Sequence, residues 1–177
     1  VWNGKGFAYG ELKNYKKSIE CFDKELKIDS NNPLAWTNKG NSYQNLKNYK
    51  KAIECYDKVT KLNPKNLDAW FHKGLSYQNL KNYKKAIECY DKTIKINPKS
   101  ENIWNNKGFA YEKLKNYKKA IECYDKATKI NPKQEKAWQN KGNSYEKLKN
   151  YKKAIACYDK ATKINPKDSD TWFYQGL

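Results

Sequence analysis

Arginine and methionine are absent from this 177-residue sequence, and histidine occurs once, as His72. Arginine reads phosphates and base edges through paired hydrogen bonds, so its absence argues against sequence-specific nucleic-acid recognition. One histidine leaves no Cys–His or Ser–His–Asp arrangement to assemble, and no Gly-rich loop follows a strand to hold a phosphate. We therefore expect a chain that is not an enzyme, with no catalytic residue and no cofactor.

Long apolar runs are missing too. No stretch approaches the roughly 18 apolar residues that a membrane span needs, so we expect no span. The chain begins at Val1 with neither an initiator Met nor a signal peptide, and we expect a fragment of a longer protein. Hydrophobic residues make up only 38% of the chain, but 15% of it is aromatic, which disordered chains are not. The sequence therefore predicts a folded protein.

A period of 34 residues runs through the whole sequence. It is marked by six tryptophans: Trp2, Trp36, Trp70, Trp104, Trp138 and Trp172. Counted from each Trp, Gly stands at offset +4, Tyr at +7, Ala or Ser at +16 and Tyr or Phe at +20. Pro follows at +28 in four repeats. Repetition at a fixed period is the signature of stacked repeat architectures.

Each repeat is predicted to contain two amphipathic helices. In the second repeat, residues 36–46 and 49–59 each carry an apolar stripe at helical spacing. Asn48 lies between the stripes, and we expect it to adopt the left-handed conformation that ends a helix. Offset +30 is the predicted N-cap, and four of its five residues favour that role: Asn32, Asn66, Ser100 and Asp168, with Gln134 the exception. Gly at +4 should let neighbouring helix backbones approach closely.

These residues at one fixed period resemble the tetratricopeptide repeat (TPR) family. The resemblance implies an all-α, right-handed superhelical solenoid of antiparallel helix pairs. It covers residues 1–177 as a single array of about five repeats plus a partial sixth, starting near 1, 33, 67, 101, 135 and 169. One departure is consistent: the Leu that the family usually has before the Gly is Lys here, at Lys5, Lys39, Lys73, Lys107 and Lys141.

In TPR proteins the first helix of each repeat lines the concave surface, where ligands bind. At offset +2 this sequence has Asn38, His72, Asn106 and Asn140, similar to the asparagine ladders that hold an extended peptide by its backbone. We expect Asn41, Asn105, Gln139 and Asn143 to widen this polar strip, and Phe71, Leu75 and Phe109 to give specificity. Alternatively, the asparagines are compositional and the apolar residues pack against the adjacent repeat. We expect His72 to be a solvated polar residue that replaces Asn; a pH sensor or a contact to a ligand group is the alternative.

The TPR clamp for chaperone carboxylate tails is not expected, because its best match offers only Asn106 and Lys136. The net charge of +18 leaves a second reading open, a basic scaffold for nucleic acid or anionic surfaces. Against it, most Lys recur at framework positions, interleaved with acids as in Asp57–Lys61, and the positions that vary between repeats are net negative. We expect a solvated Lys face.

The cysteines also recur once per repeat: Cys21, Cys55, Cys89, Cys123 and Cys157. Stacked helices lie about 8–10 Å apart, which is too far for a disulfide and does not converge ligands on a metal. We therefore expect small packing residues, no metal site, and a reducing compartment, the cytoplasm.

Taken together, these patterns predict a protein–protein interaction scaffold that binds an extended peptide or protein segment in the concave groove. A regulatory array of an enzyme whose catalytic domain lies outside this chain is a further alternative. Because Trp172 and Phe173 would belong to an unpaired helix, we also expect end-to-end self-association through the terminal helices.

Overall fold

The computed structural model describes residues 1–166, and these form ten α-helices without a strand. The first compact unit, Val1–Ile96, contains α1 (Trp2–Glu11), α2 (Tyr15–Ile28), α3 (Pro33–Asn45), α4 (Tyr49–Leu62), α5 (Leu67–Asn79) and α6 (Tyr83–Ile96). The second unit begins at Asn97 and contains α7 (Glu101–Lys113), α8 (Tyr117–Ile130), α9 (Glu135–Lys147) and α10 (Tyr151–Ile164). The all-α prediction is confirmed. The predicted sixth repeat, with Trp172, Phe173 and the Asp168 cap, lies outside the described residues.

Each repeat is one pair of antiparallel helices, and the pairs stack within each unit. In the first unit α1 packs on α2, α3 on α4 and α5 on α6, while α2 contacts α3 and α4 contacts α5. In the second unit α7 packs on α8 and α9 on α10, and α8 contacts α9. No helix in residues 1–166 combines the length and apolar character that crossing a bilayer requires.

A lysine, and not the predicted asparagine, takes the left-handed conformation in the turn inside each repeat. Lys47 has φ of 58°, and its counterparts in the other four repeats have φ of 58–59°. The N–H groups of Lys47 and Asn48 return to the carbonyls of Gln44 and Tyr43, which is the Schellman pattern. Asn48 itself has φ of −86° and caps α4 by accepting from the N–H of Lys51 at 3.3 Å. The left-handed position falls on the lysine because the asparagine is committed as the N-cap.

The turn between repeats is held by a tryptophan that the sequence pattern did not assign. The indole N–H of Trp70 donates to the carbonyl of Pro64 at 2.9 Å, and Trp36, Trp104 and Trp138 repeat this contact. Asn32 and Asn66 cap the following helices as predicted. Ser100 is the N-cap of α7 as predicted, but its side chain makes no capping hydrogen bond. Glu101 in the first turn of α7 instead places negative charge at the helix N-terminus.

The core of each repeat is an aromatic ring pressed onto a glycine. Tyr56 and Tyr90 are 0% exposed, and each ring lies over the offset +4 glycine of its own repeat. A Cβ added to Gly40 would stand 2.7 Å from Cε1 of Tyr56, which is closer than real Cβ atoms approach. The glycine therefore admits a side-chain ring, which corrects the expectation of backbone-to-backbone approach.

The five cysteines are free and buried, as the packing prediction required. Burial raises the pKa of the Cys55 and Cys89 thiols to about 12, because a buried thiolate would lose its hydration. Both thiols are therefore protonated at neutral pH.

The consistent Lys before the glycine is a link between neighbouring repeats. The ammonium of Lys39 contacts Asp23 at 2.5 Å, and Lys73–Asp57 and Lys141–Asp125 repeat the pair at 2.5 and 2.6 Å. The lysine side chains are only 13–14% exposed. Asp57 was expected to pair with Lys61 along its own helix, but the structure pairs it with Lys73 of the next repeat.

Gly40→Ala is expected to lower stability by about 1–3 kcal/mol, because the added methyl forces the Tyr56 ring out of place. Gly4→Ala is the matched control, since nothing lies within 4 Å of a Cβ built there. That change should stabilise α1 by up to about 1 kcal/mol through helix propensity. Urea midpoints of the two variants measure the difference, and equal midpoints would contradict the role of the glycine.

Lys47→Gly is expected to raise stability by up to about 1 kcal/mol, because glycine adopts positive φ without a Cβ clash. Lys47→Val should instead destabilise by about 1 kcal/mol or more, since a β-branched residue is strained there. Thermal unfolding, monitored by circular dichroism, ranks the original chain and the two variants by their melting temperatures. A glycine variant less stable than the original chain would show that the lysine side chain is needed in the turn.

Candidate functional site

The predicted site residues lie on the first helices of the repeats, which we call the first-helix face: α1, α3 and α5 in the first unit, and α7 and α9 in the second. Within the units, α1 contacts α3, α3 contacts α5 and α7 contacts α9. Ten of the eleven predicted residues are half-buried on these helices: Asn38, Asn41, Phe71, His72, Leu75, Asn106, Phe109, Gln139, Asn140 and Asn143. The eleventh, Asn105, is buried.

Asparagine side chains pair between neighbouring repeats on this face. The amide Nδ2 of Asn38 donates to Oδ1 of Asn3 at 3.4 Å, and Nδ2 of Asn140 donates to Oδ1 of Asn105 at 3.2 Å. Each pair joins offset +2 to offset +1 of the preceding repeat, 35 residues earlier in the chain. The predicted ladder used offset +2 and did not include Asn3, and Asn105, which was expected in the open strip, is buried. The recurrence of Asn at +1 one repeat before Asn at +2 was the available signal.

Tyrosine hydroxyls from the second helices reach the same face. Tyr56 donates to Oδ1 of Asn41 at 2.7 Å, and Tyr158 donates to Oδ1 of Asn143 at 2.9 Å. Burial raises the pKa of Tyr56 above its ordinary value, so the hydroxyl stays a donor. The side-chain oxygens of Asn41 and Asn143 are therefore fixed by hydrogen bonds from the second helices of their repeats.

A residue at offset +8 also accepts from the buried tyrosine of its repeat, and sequence analysis missed this position. Tyr90 donates to Gln78 at 2.9 Å, and Tyr124 donates to Glu112 at 3.1 Å. Gln or Glu stands at +8 wherever +20 is Tyr, and the first repeat has neither, with Gly10 and Phe22 at these places. This covariation within the chain was the available signal.

His72 is a half-buried neutral side chain and not the solvated residue we expected. Its Nδ1 lies 3.0 Å from Oε1 of Gln44, and its ring stacks on Tyr56 with centroids 5.9 Å apart. Burial lowers its pKa, and Asp68 opposes that shift to a smaller extent. Gln44 also donates from Nε2 to the carbonyl of His72 at 3.3 Å. His72 therefore joins α5 to α3.

Phe71 and Gln139 have partners within the protein. The centroid of the Phe71 ring lies 5.5 Å from that of His72, in an edge-on arrangement, and 6.3 Å from that of Tyr90, in a tilted one. Part of the Phe71 ring surface is therefore used for packing. The amide of Gln139 donates to Glu135 at 3.0 Å. Among residues 1–166, no group of three His, Cys, Asp or Glu side chains is placed to hold a metal.

A pocket of about 340 Å³ opens on the first-helix face at the first repeat. Its lining includes Phe7, Gly10, Phe22, Asn38, Asn41 and Asn45. Two of the predicted asparagines therefore share one concavity with the aromatic rings of Phe7, Tyr15 and Phe22.

Several crystal structures share this fold. MamA is 24% identical, with a TM-score of 0.89 over 93% of this chain and 96% of that chain. MamA from Desulfovibrio magneticus RS-1 is 21% identical, with a TM-score of 0.89 over 95% of each chain. YrrB, described as a TPR protein with an unusual peptide-binding site, is 21% identical, with a TM-score of 0.87 over 99% of this chain and 91% of that chain. A comparison with curated protein sequences found no match.

Family models cover the chain almost end to end. Two tetratricopeptide repeat models match it, one at residues 1–32 and the other at 33–66, 67–100, 102–134 and 135–168. These boundaries agree with the predicted starts near 1, 33, 67, 101 and 135. The chain therefore belongs to the tetratricopeptide repeat family.

Proposed function

We propose that this chain is a protein-interaction scaffold that binds an extended peptide on its first-helix face. The observation that carries the proposal is the inter-repeat asparagine pairing of Asn38 with Asn3 and of Asn140 with Asn105. Membership of a family built on such repeats supports it. So does the similarity to YrrB, which is described as having a peptide-binding site.

Each asparagine pair has hydrogen-bonding capacity left over. A side-chain amide offers two N–H donors and one oxygen with two lone pairs. The bond to Asn3 uses one N–H of Asn38, so its second N–H and its oxygen match the carbonyl and N–H of a peptide unit. Because the pair fixes the amide plane, a peptide would bind to a preorganised group and lose less entropy on binding.

The other polar residues take different roles in this proposal. Asn105 is 8% exposed and acts as a positioning residue that orients Asn140. The oxygens of Asn41 and Asn143 accept tyrosine hydroxyls, which leaves their N–H groups as donors for a peptide carbonyl. Asn106 supplies the offset +2 amide on α7.

The structure offers less support for the basic-scaffold alternative. Lys39, Lys73 and Lys141 are mostly buried and paired with aspartates, so their charges are not available to a polyanion. The exposed lysines remain, and they give a non-specific attraction that falls with salt. A salt titration therefore separates the two functions.

Replacing Asn38, Asn106 and Asn140 together by Ala is expected to weaken peptide binding by about 10- to 1000-fold. The reason is the loss of three hydrogen bonds worth about 0.5–1.5 kcal/mol each. The ligand would be chosen by selecting random displayed peptides on the original chain and would be titrated by calorimetry. Helix content and unfolding midpoint of the variant are recorded alongside, since Asn38 and Asn140 also join repeats.

The matched charge control is Lys51→Gln with Lys85→Gln and Lys119→Gln, three exposed positions of the second helices. We expect this variant to bind the peptide as before, with a shallower salt dependence. Loss of binding in the lysine variant with full binding in the asparagine variant would overturn the proposal in favour of a basic scaffold.

A further inference from the structure

The first repeat differs from the other four at three positions that surround one place on the first-helix face. Offset +8 is Gly10, where the other repeats have Gln44, Gln78, Glu112 and Glu146. Offset +20 is Phe22 where the others have Tyr, and offset +16 is Ser18 where the others have Ala. Gly10, Ser18 and Phe22 all line the same pocket, and the counterparts of Gly10 and Phe22 touch in the second and third repeats, where Tyr56 donates to Gln44 and Tyr90 to Gln78.

In the second repeat this place is filled by the side chain of Gln44. Its Nε2 donates to Oγ of Ser76 at 3.2 Å, and its Oε1 accepts from the hydroxyl of Tyr56 at 3.4 Å. Gln44, on α3, thus bonds both to α4 of its own repeat and to α5 of the next repeat. The glutamine closes the gap between the second and third repeats.

In the first repeat the same place is open. Gly10 has no side chain to fill it, and Phe22 has no hydroxyl that would need an acceptor. What results is the pocket of about 340 Å³ described above, here called the first-repeat pocket, with Phe7, Phe22, Asn38 and Asn41 in its lining. Phe22 is 1% exposed, whereas Phe7 is 56% exposed and stands open to solvent.

The two buried hydroxyls in the lining of the first-repeat pocket, those of Ser18 and Ser42, already have partners within the protein. The Ser18 hydroxyl donates to the carbonyl of Gly6 at 2.7 Å and lies 2.9 Å from Oγ of Ser42. Ser18 therefore replaces the missing glutamine as the partner of Ser42. A ligand need not satisfy these hydroxyls, which favours an apolar occupant.

Packing does not require the glycine at position 10. A Cβ there would meet only Oγ of Ser18, at 3.5 Å, which is ordinary van der Waals contact. Glycine also weakens a helix relative to alanine, so α1 gains no stability from it. What Gly10 provides is the open space.

We propose that the first-repeat pocket binds one bulky uncharged side chain, aromatic or branched aliphatic, of the peptide held on the first-helix face. This inference rests on the proposed peptide-binding function, and it assigns to the pocket the selection of one peptide side chain. The rings of Phe7 and Phe22 supply apolar contact. The side-chain amides of Asn38, Asn41 and Asn45, which also line the pocket, are uncharged. Glu11 and Lys13 also line the pocket with opposite charges, so the lining has no net charge that would select a cationic or an anionic side chain.

The pocket itself is tested with indole as the probe, followed through the backbone amide signals of the 177-residue chain in NMR. We expect millimolar indole to shift the signals of Gly10, Ser18 and residues 38–45 first. Gly10→Gln combined with Phe22→Tyr rebuilds the filled arrangement of the second repeat and should abolish these shifts. Gly10→Ala is the matched control: it gives a similar gain in helix propensity, leaves most of the space open, and should keep indole binding.

Side-chain specificity is tested with short Gly/Ser peptides that differ only in one central residue: Trp, Leu, Gln, Lys or Glu. We expect the Trp and Leu peptides to bind at least about 10-fold more tightly than the Gln peptide, because they bury an apolar side chain. The Gly10→Gln, Phe22→Tyr double variant should lose this preference and keep the affinity for the Gln peptide.

The outcomes separate the two proposals. Indole shifts that are unchanged in the double variant, or that map elsewhere, overturn the first-repeat pocket. Equal affinity of the original chain for all five peptides overturns its role in specificity and leaves peptide binding in place. If no peptide binds while indole still occupies the pocket, the peptide-binding function is wrong and the anchoring role fails with it.

Discussion

The packing of an aromatic ring onto a glycine within each repeat is the contact on which the other interactions depend. The ring of Tyr56 reaches the backbone of α3 only because Gly40 has no Cβ, and this fixes how closely the two helices of a repeat approach. The same ring carries its hydroxyl through to the first-helix face, where Asn41 and Gln44 accept from it. One steric constraint therefore sets the helix spacing and also places the polar groups of the candidate site.

The sequence predicted helices and repeat boundaries well because both follow from local periodicity and capping. The side-chain partners were harder to predict, since they lie on other helices, 12 to 35 residues away in the chain. Lys73 looks like a solvated surface lysine in its own helix, but stacking of its repeat on the preceding one brings it onto Asp57 and leaves its side chain only 13% exposed. The left-handed turn was assigned to Asn48 on intrinsic preference, and the competing demand for an N-cap decided otherwise.

The candidate site illustrates the same difficulty. Asn38 and Asn140 were identified from a single register, whereas their partners stand one offset earlier in the preceding repeat. His72 was taken for a substitute asparagine. In the structure it bonds to Gln44 and stacks on Tyr56, because a planar ring fits the half-buried space between α3 and α5. A search for residue types that covary would have found the asparagine pairs at 35-residue separation and the Tyr–Gln contacts at 12-residue separation.

The ion pairs between repeats also bear on how an array of this kind can change in length. Within the first unit, both interfaces between repeats use the same two groups, an aspartate from one repeat and a lysine from the next, as in Asp23–Lys39 and Asp57–Lys73. An in-frame duplication of 34 residues supplies one further lysine and one further aspartate, so the new interface is complete as soon as it forms. A segment of this length can therefore be gained or lost without leaving a buried charge unpaired, whereas a segment whose length is not a multiple of 34 would put the lysine and the aspartate out of register.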